Sequence, residues 1–339
     1  MLGIKDKMKI MRIAIVKLSA LGDIVHAMVG LQFIKNRFPH SEIDWFVESQ
    51  YEGLLENNKD INKIYTLNLK ELKKNKSLFQ LFKALNELRH LEKYDYVLDA
   101  QGLIKSAIVA KLIPSKKTCG FDKNSVRERL ASNFYNFQVV IGYDENTIDR
   151  NVKVLCNPLG IEVSNRDILK KLPFLKSKNN EKLFDGRYAV FVIGSNWESR
   201  NYPKEKFKEV ADQIGISCCI IWGNNTEREK ALWIKNNSKN CFVADRLSID
   251  RLKTLISNSR LVVGNDTGPT HMAWGLNVPS ITIFGPTPVS RIFLTPINKY
   301  IKSSSVVNPF KLNKEDFSIS EIPSEDIVKI ARNLLREQE

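Results

Sequence analysis

Short apolar runs rich in β-branched residues recur along the chain, each followed by a longer stretch in which apolar positions return with helical period. Arg12 to Val16, Ile43 to Val47 and Tyr94 to Leu98 are the clearest in the first half. Tyr188 to Ile193, Ser217 to Trp222, Cys241 to Val243, Leu261 to Val263 and Ser280 to Phe284 follow in the second. Strand runs alternating with helical periods spell βα units around a parallel sheet. Helix starts are marked by Pro203 before 204–215, Thr226 before 227–235 and Ser248 before 249–257.

The pattern runs twice, and the polar Lys/Asn-rich stretch 161–185, centred on Ser177 to Glu181, separates the two runs. The fold class is therefore α/β: two Rossmann-like domains whose parallel sheets face each other across a cleft, over 1–165 and 185–315. The last stretch, 316–339, is expected to form a helix that packs back on the first domain. A length of 339 residues also fits two cores better than one. In such sheets ligands bind outside the carboxyl ends of the strands, so the βα loops are where chemistry is sought.

Lys and Arg number 52 against 38 Asp and Glu, a net charge of +14, with 43% hydrophobic residues. That excludes a disordered or collagen-like chain. The excess of positive charge calls for nucleic acid, an anionic membrane surface or an acidic substrate as partner. Lys73 to Lys76 and Asn236 to Asn240 read as solvated faces. The stretch 105–129 is more lopsided, with Lys105, Lys111, Lys116, Lys117, Lys123, Arg127 and Arg129 against Asp122 and Glu128. Aromatic residues are not interleaved with it, so nucleic acid is not the expected partner. Five scattered cysteines without metal-ligand spacing suggest a reduced, cytoplasmic setting. Lys5, Lys7 and Lys9 precede an apolar stretch, but Lys17 and Asp23 interrupt it, which predicts a first strand and helix instead of a signal sequence. No run reaches the roughly 18 apolar residues a spanning helix needs.

The first loop, Lys17 to His26, carries one glycine where a dinucleotide site needs three, so nucleotide binding is not expected there. Asp23 falls in the first turn of the next helix. It serves either as a cap favoured by the helix dipole or, with Ser19 or Gly22 capping, as a general base facing the cleft. Lys17 and His26 flank it. The loop after the third strand run, Asp99 to Ser106, places Gly102 in a tight turn, and Lys105 either lies on a solvated helix face or, with Arg127 and Arg129 nearby, faces an anion.

In the second half, Ser195, Asn196 and Arg200 offer hydroxyl, amide and guanidinium groups suited to phosphate oxygens. Arg200 at a helix start requires an anion beside it. Glu227 is a candidate for paired ribose hydroxyls or simply a first-turn acid. The run Asp266-Thr267-Gly268-Pro269-Thr270-His271 follows an apolar strand and opens a helix, so Thr267 and Gly268 present amides to a diphosphate. Asp266 repels phosphate and is expected to bind sugar hydroxyls, with His271 donating to phosphate or sugar. No carboxylate or histidine set has metal spacing, so metal-independent chemistry without a cofactor is expected.

These loops resemble the lipopolysaccharide heptosyltransferases of glycosyltransferase family 9, which have the GT-B fold. The likeness runs from about Arg12 to the final helix. Val16 to His26 matches VKxSxxGDxxH, Asp99 to Ser106 matches DAQGLxKS and Leu130 to Asn136 matches LASxFYN, all patterns of the family's type I group. The resemblance implies inverting transfer of L-glycero-D-manno-heptose from ADP-L-glycero-β-D-manno-heptose to the Kdo residue of Kdo-lipid A, with Asp23 as base. Ser195, Asn196 and Arg200 stand at the family's TTxxxK donor loop, Glu227 at its ribose-binding acid, Leu247 at an apolar contact to adenine, and Asp266 to His271 at DTGxxH. The acceptor set is Lys17, Ser19, His26, Gln101, Gly102, Lys105 and Arg127. An acidic glycolipid acceptor implies peripheral residence on the cytoplasmic face of the inner membrane and accounts for the basic first half. The alternatives are a type II enzyme adding a later heptose and a sugar-nucleotide epimerase of the same fold.

Overall fold

A computed structural model describes residues 10–69, 78–178 and 181–338. The lysines at 5, 7, 9, 73, 74 and 76 and the centre of the expected linker, 179–180, lie outside the described residues. The first sheet holds six parallel strands: β1 Arg12–Val16, β2 Glu42–Glu48, β3 Lys63–Leu67, β4 Tyr94–Asp99, β5 Ser115–Phe121 and β6 Phe137–Val139. Their order is β3-β2-β1-β4-β5-β6. Helices α1 Leu21–Arg37, α2 Glu52–Leu55, α3 Leu78–Leu88, α4 Ile104–Leu112 and α5 Thr147–Cys156 connect or follow them. The second sheet holds β7 Tyr188–Val192, β8 Ser217–Ile221, β9 Cys241–Val243, β10 Leu261–Asn265, β11 Ser280–Phe284 and β12 Asn298–Lys302. Its order, β12-β11-β10-β7-β8-β9, repeats the topology of the first.

Ile13 to Val16 are fully buried, as are Ala189 to Phe191. This is what a continuous apolar run requires when helices cover both faces of a parallel sheet. Four strands lack such runs and were not predicted: β3, β5, β6 and β12. They lie at or toward the sheet edges and carry polar residues such as Lys116, Lys117 and Lys299. The predicted helix starts hold at Pro203 and Ser248. The former precedes α7 Lys204–Gln213, and the latter caps α9 Ile249–Ser257 through its hydroxyl to the Arg251 amide. The cap of α8 Asn225–Asn237 is Asn224, not Thr226, with its side-chain oxygen on the Glu227 amide at 2.9 Å.

The last helix, α11 Ser324–Arg336, corrects one expectation. It packs on the second domain, not the first. Its buried stripe of Ile327, Val328, Ala331, Leu334 and Leu335 joins the cluster that holds Phe207, Val210, Leu261 and Ile281. The Ser324 hydroxyl bonds Glu209 at 2.6 Å, and Arg332 donates to the Gln213 carbonyl. With an apolar i, i+4, i+7 face available next door, the chain has no reason to cross back.

The domains are joined along a buried seam. Helix α1 of the first lies against α10 Gly268–Gly275 of the second. One apolar cluster runs through Val25, Met28, Met272, Ala273 and Trp274 and takes in Phe174 and Leu175 of the connecting segment. That segment contains α6 Asn165–Leu169 and is fastened at both sides. The Leu172 amide donates to Gln32 on α1, and the Phe174 amide donates to the Gly275 carbonyl. Lys171 donates to the Trp274 carbonyl and the Asn277 side chain, while Lys253 on α9 reaches the Glu56 and Lys176 carbonyls. Burial pushes the Lys171 ammonium down to about 7.

Candidate active site at the domain seam

In each sheet the strand order reverses between two central strands, β1/β4 and β7/β10. Loops on either side of such a switch point diverge and leave a crevice. The loops after these four strands, with the helices they lead into, carry most of the residues singled out from the sequence, whereas Arg127, Glu227 and Leu247 follow β5, β8 and β9.

In the first domain, Gln101 organises the crevice. Its side-chain oxygen accepts from the Leu18 and Ser19 amides at 2.7 and 3.2 Å, and its amide nitrogen donates to the Ser19 hydroxyl. Asp99 in turn holds the Gln101 loop. The fully buried carboxylate accepts from the Gln101 and Gly102 amides, the Ser106 hydroxyl and the Tyr135 hydroxyl at 2.7–3.2 Å. Burial pushes its pKa up against the pull of those four donors. Gly102 sits at φ +68°, where a side chain would meet Val126 and Phe121. The Asp99 to Ser106 run is thus a scaffold.

Asp23 both closes a helix turn and faces the clefts. One oxygen accepts from the Ala20 amide at 3.2 Å and closes the first turn of α1. The residue is nonetheless exposed, and it lines both the cleft of the first domain and the cleft that continues into the second. The former measures about 250 Å³, and Lys17, Ser19, Gln101, Arg127, Arg150, Ser290 and Arg291 are among its walls. Lys17 is buried and donates to the Ala100 carbonyl and to Asn151, and burial lowers its pKa. Arg150 is spent on the Ile141, Gly142 and Ser125 carbonyls and stacks over Phe121 and Tyr143.

Three of the predicted acceptor residues do not line this cleft. Lys105 turns to Glu48 at the end of β2, 3.8 Å away. Gly102 acts through backbone conformation. His26 is 3% exposed inside the seam, its ring edge-on to His271 with centroids 4.5 Å apart. Burial first, then His271 and Lys17, hold His26 well below its usual pKa, so it is neutral.

In the second domain, Asn265 fixes the loops by accepting from the Tyr202 amide and donating to the Ile193 carbonyl. Asp266, 1% exposed, is fully engaged by protein groups. Its Oδ1 pairs with His271 Nε2 at 3.0 Å, and Oδ2 takes Arg200 at 3.1 Å and Arg291 at 3.5 Å. Burial would raise its pKa, but the His271 hydrogen bond and the two guanidinium groups hold it well below the usual range. Asp266 thus anchors three side chains of its own domain while also lining the cleft. It is the anion that Arg200 required.

Beyond it, two connected clefts of about 300 and 240 Å³ share Asn196, Thr267 and Pro269. The first is lined by Asp23, Arg200, Gly268 and Arg291, the second by Gly194, Ser195, Trp222, Glu227 and Leu247. Glu227 accepts from the Gly223 amide at 2.6 Å and from Asn224, and it lies so close over Gly194 that a Cβ there would fall 2.1 Å from its carboxyl carbon. Ser195 bonds its own loop at Trp197. Gly268 opens α10, and its Cα lies 3.4 Å from where a Cβ on Gly22 would stand. The N-termini of α1 and α10, one from each domain, therefore meet where Asp23 faces the clefts.

Residues 79–318 match the model of glycosyltransferase family 9 (heptosyltransferase). Lipopolysaccharide heptosyltransferase 1 of Campylobacter coli is 38% identical over 97% of this chain and all of its own length. The enzyme of that name from Escherichia coli K12 is 27% identical over 90% of this chain and 97% of its own. Among solved structures, the E. coli heptosyltransferase WaaC with ADP superposes with a TM-score of 0.79 at 24% identity, covering 96% of this chain and all of the other. The two-sheet architecture is thus that of the GT-B heptosyltransferases, and the chain belongs to glycosyltransferase family 9.

Proposed function

We propose that the protein transfers heptose from ADP-heptose to the Kdo residue of Kdo-lipid A, with inversion and without a metal ion. The meeting of Asp23 with the start of α10 carries this reading. It sets a carboxylate from one domain beside an anion-binding helix end from the other, which is what single displacement of a diphosphate-linked sugar needs. The relatives named as lipopolysaccharide heptosyltransferase 1 support heptose transfer in lipopolysaccharide assembly.

In this mechanism adenosine lies in the cleft of Trp222, Glu227 and Leu247, with Glu227 accepting from ribose hydroxyls. The diphosphate lies across Asn196, Arg200 and the Thr267–Gly268 turn. The free side of Asp23 takes the proton of the acceptor hydroxyl as its oxygen attacks the anomeric carbon. The bond from that carbon to the diphosphate oxygen breaks, and the charge arriving on ADP is met by Arg200 and the helix start. Kdo enters from the first-domain side, where Lys17, Arg127, Arg150 and Arg291 set a positive field. An acidic lipid acceptor also places the protein against the inner membrane, on its cytoplasmic face.

The test is transfer from ADP-heptose to deacylated Kdo-lipid A with EDTA present, for wild type and Asp23→Asn. Asparagine keeps an acceptor for the Ala20 amide. The variant is expected to lose about 10²- to 10⁴-fold in kcat, the usual worth of a general base, with ADP affinity unchanged. The product should carry an α linkage. Transfer only to an already heptosylated core would move the protein to the later step, and rates abolished by EDTA would overturn the metal-free mechanism.

A further inference from the structure

Four cations line the acceptor cleft, but two of them are committed: Lys17 to Ala100 and Asn151, Arg150 to three backbone carbonyls. Arg127 is exposed on the first domain, with no side-chain hydrogen bond or ion pair among the described residues. Arg291 comes from the second domain, on a turn after β11. It is about one-third exposed and touches Asp266 only at 3.5 Å, on an oxygen that Arg200 already holds at 3.1 Å. It lines both the acceptor cleft and the neighbouring donor cleft. Its turn is also tied to the first domain. The Asn146 side chain, capping α5, donates to the Ile292 carbonyl at 2.6 Å.

A loosely held guanidinium, positioned by a backbone tie across the seam, has a planar fork free to re-aim onto a carboxylate. We propose that Arg291 is the second-domain half of an arginine clamp that, with Arg127, grips the carboxylate of an anionic sugar acceptor and thereby selects it over neutral sugars. This rests on the acceptor reading given above. It makes the acceptor site a product of both domains: the carboxylate is held by one arginine from each, one of them beside the anchor of the donor loop. Arg127 alone would leave selection to the first domain.

The experiment compares a deacylated Kdo acceptor with the same acceptor reduced at the Kdo carboxyl to the alcohol, using wild type, Arg291→Gln and Arg291→Lys. ADP affinity is measured by calorimetry and folding by thermal melting. Wild type is expected to favour the acid in kcat/KM by about 10- to 100-fold, the usual worth of a hydrogen-bonded charge pair. Arg291→Gln should lose most of that preference through acceptor KM, keeping ADP affinity within about threefold, and Arg291→Lys should restore part of it. If wild type favours the acid and Arg291→Gln keeps the preference, the clamp is wrong while the acceptor reading stands. If wild type uses both acceptors equally, the clamp falls while the acceptor reading stands; if it uses neither, the two fall together. A loss confined to ADP affinity would make Arg291 a donor residue and also overturn the clamp.

Discussion

Replacing Gly22 by alanine adds one methyl group at the point where the two domains meet. The new Cβ would stand 2.7 Å from His271 Cδ2, so about 0.7 Å of separation is needed to reach ordinary contact. His271 cannot supply it easily. Its ring is held in front by Asp266 at 3.0 Å and backed by His26 at a centroid distance of 4.5 Å. Gly22 does not occupy the left-handed region, and alanine is the better helix former by roughly 1 kcal/mol, so α1 itself should gain. The strain must therefore appear as displacement of α1 from α10, with an overpacking cost of about 1–3 kcal/mol.

Misplacement of reacting groups by about 1 Å costs on the order of 10²-fold in rate. Gly22→Ala is accordingly expected to lower kcat by about 10- to 100-fold, with a small fall in melting temperature and retained ADP binding. Steady-state kinetics with both substrates saturating, together with calorimetry for ADP, separates these effects. A Gly22→Ala protein with wild-type kcat would refute the reasoning, because it would mean that the contact of the two helix ends does not set the distance between base and donor.

Two further outcomes follow from the buried charges. Asp266→Asn leaves Arg200, already carrying an unpartnered buried Nε, without its carboxylate. Denaturant unfolding should show a loss of about 3–5 kcal/mol, as for other broken buried ion pairs, with weakened ADP binding. A loss under about 1 kcal/mol would contradict the anchoring role. His26 is held neutral in the folded state, whereas the unfolded chain protonates it near 6.5. The unfolded state therefore binds more protons below that value, and the His26 contribution to stability, fully present above about pH 6.5, is lost as pH falls through the acid side of it. His26→Leu should flatten this part of the melting profile between pH 7.5 and 5.5, and an unchanged slope would assign the loss elsewhere.

Much of the fold was legible because β1, β2, β4, β7, β8, β10 and β11 sit between covering helices and must be apolar along their length. β3, β5, β6 and β12 were not, since an edge or near-edge strand such as Ser115–Phe121 tolerates lysines on a solvated side. The loops after β1, β4, β7 and β10 announced themselves for a related reason: each follows a readable strand. His26 shows the limit. It lies one turn beyond Asp23, about 4.5 Å further along the helix axis, and that shift carries it from the open cleft to a face that α10 covers. Sequence adjacency gave it to the acceptor, whereas depth along the seam gives it to His271.

Arg200 marks the same boundary from the other side. The sequence predicts it at a helix start, but it ends a short 3-10 turn four residues before α7, so its need for an anion comes from the burial of its charge and not from a helix dipole. The demand is met equally well by a ligand phosphate or by a protein carboxylate, and local sequence has no means of choosing. Here the carboxylate is Asp266, 66 positions further on, and it draws in Arg291 from a third loop that no local pattern marks. The consequence is chemical as well as structural. With Asp266 paired to Arg200 and Arg291 of its own domain, its negative charge beside the start of α10 is compensated, a condition that the proposed diphosphate site requires. The residue whose charge looked least compatible with phosphate is thus the one that holds Arg200 in place.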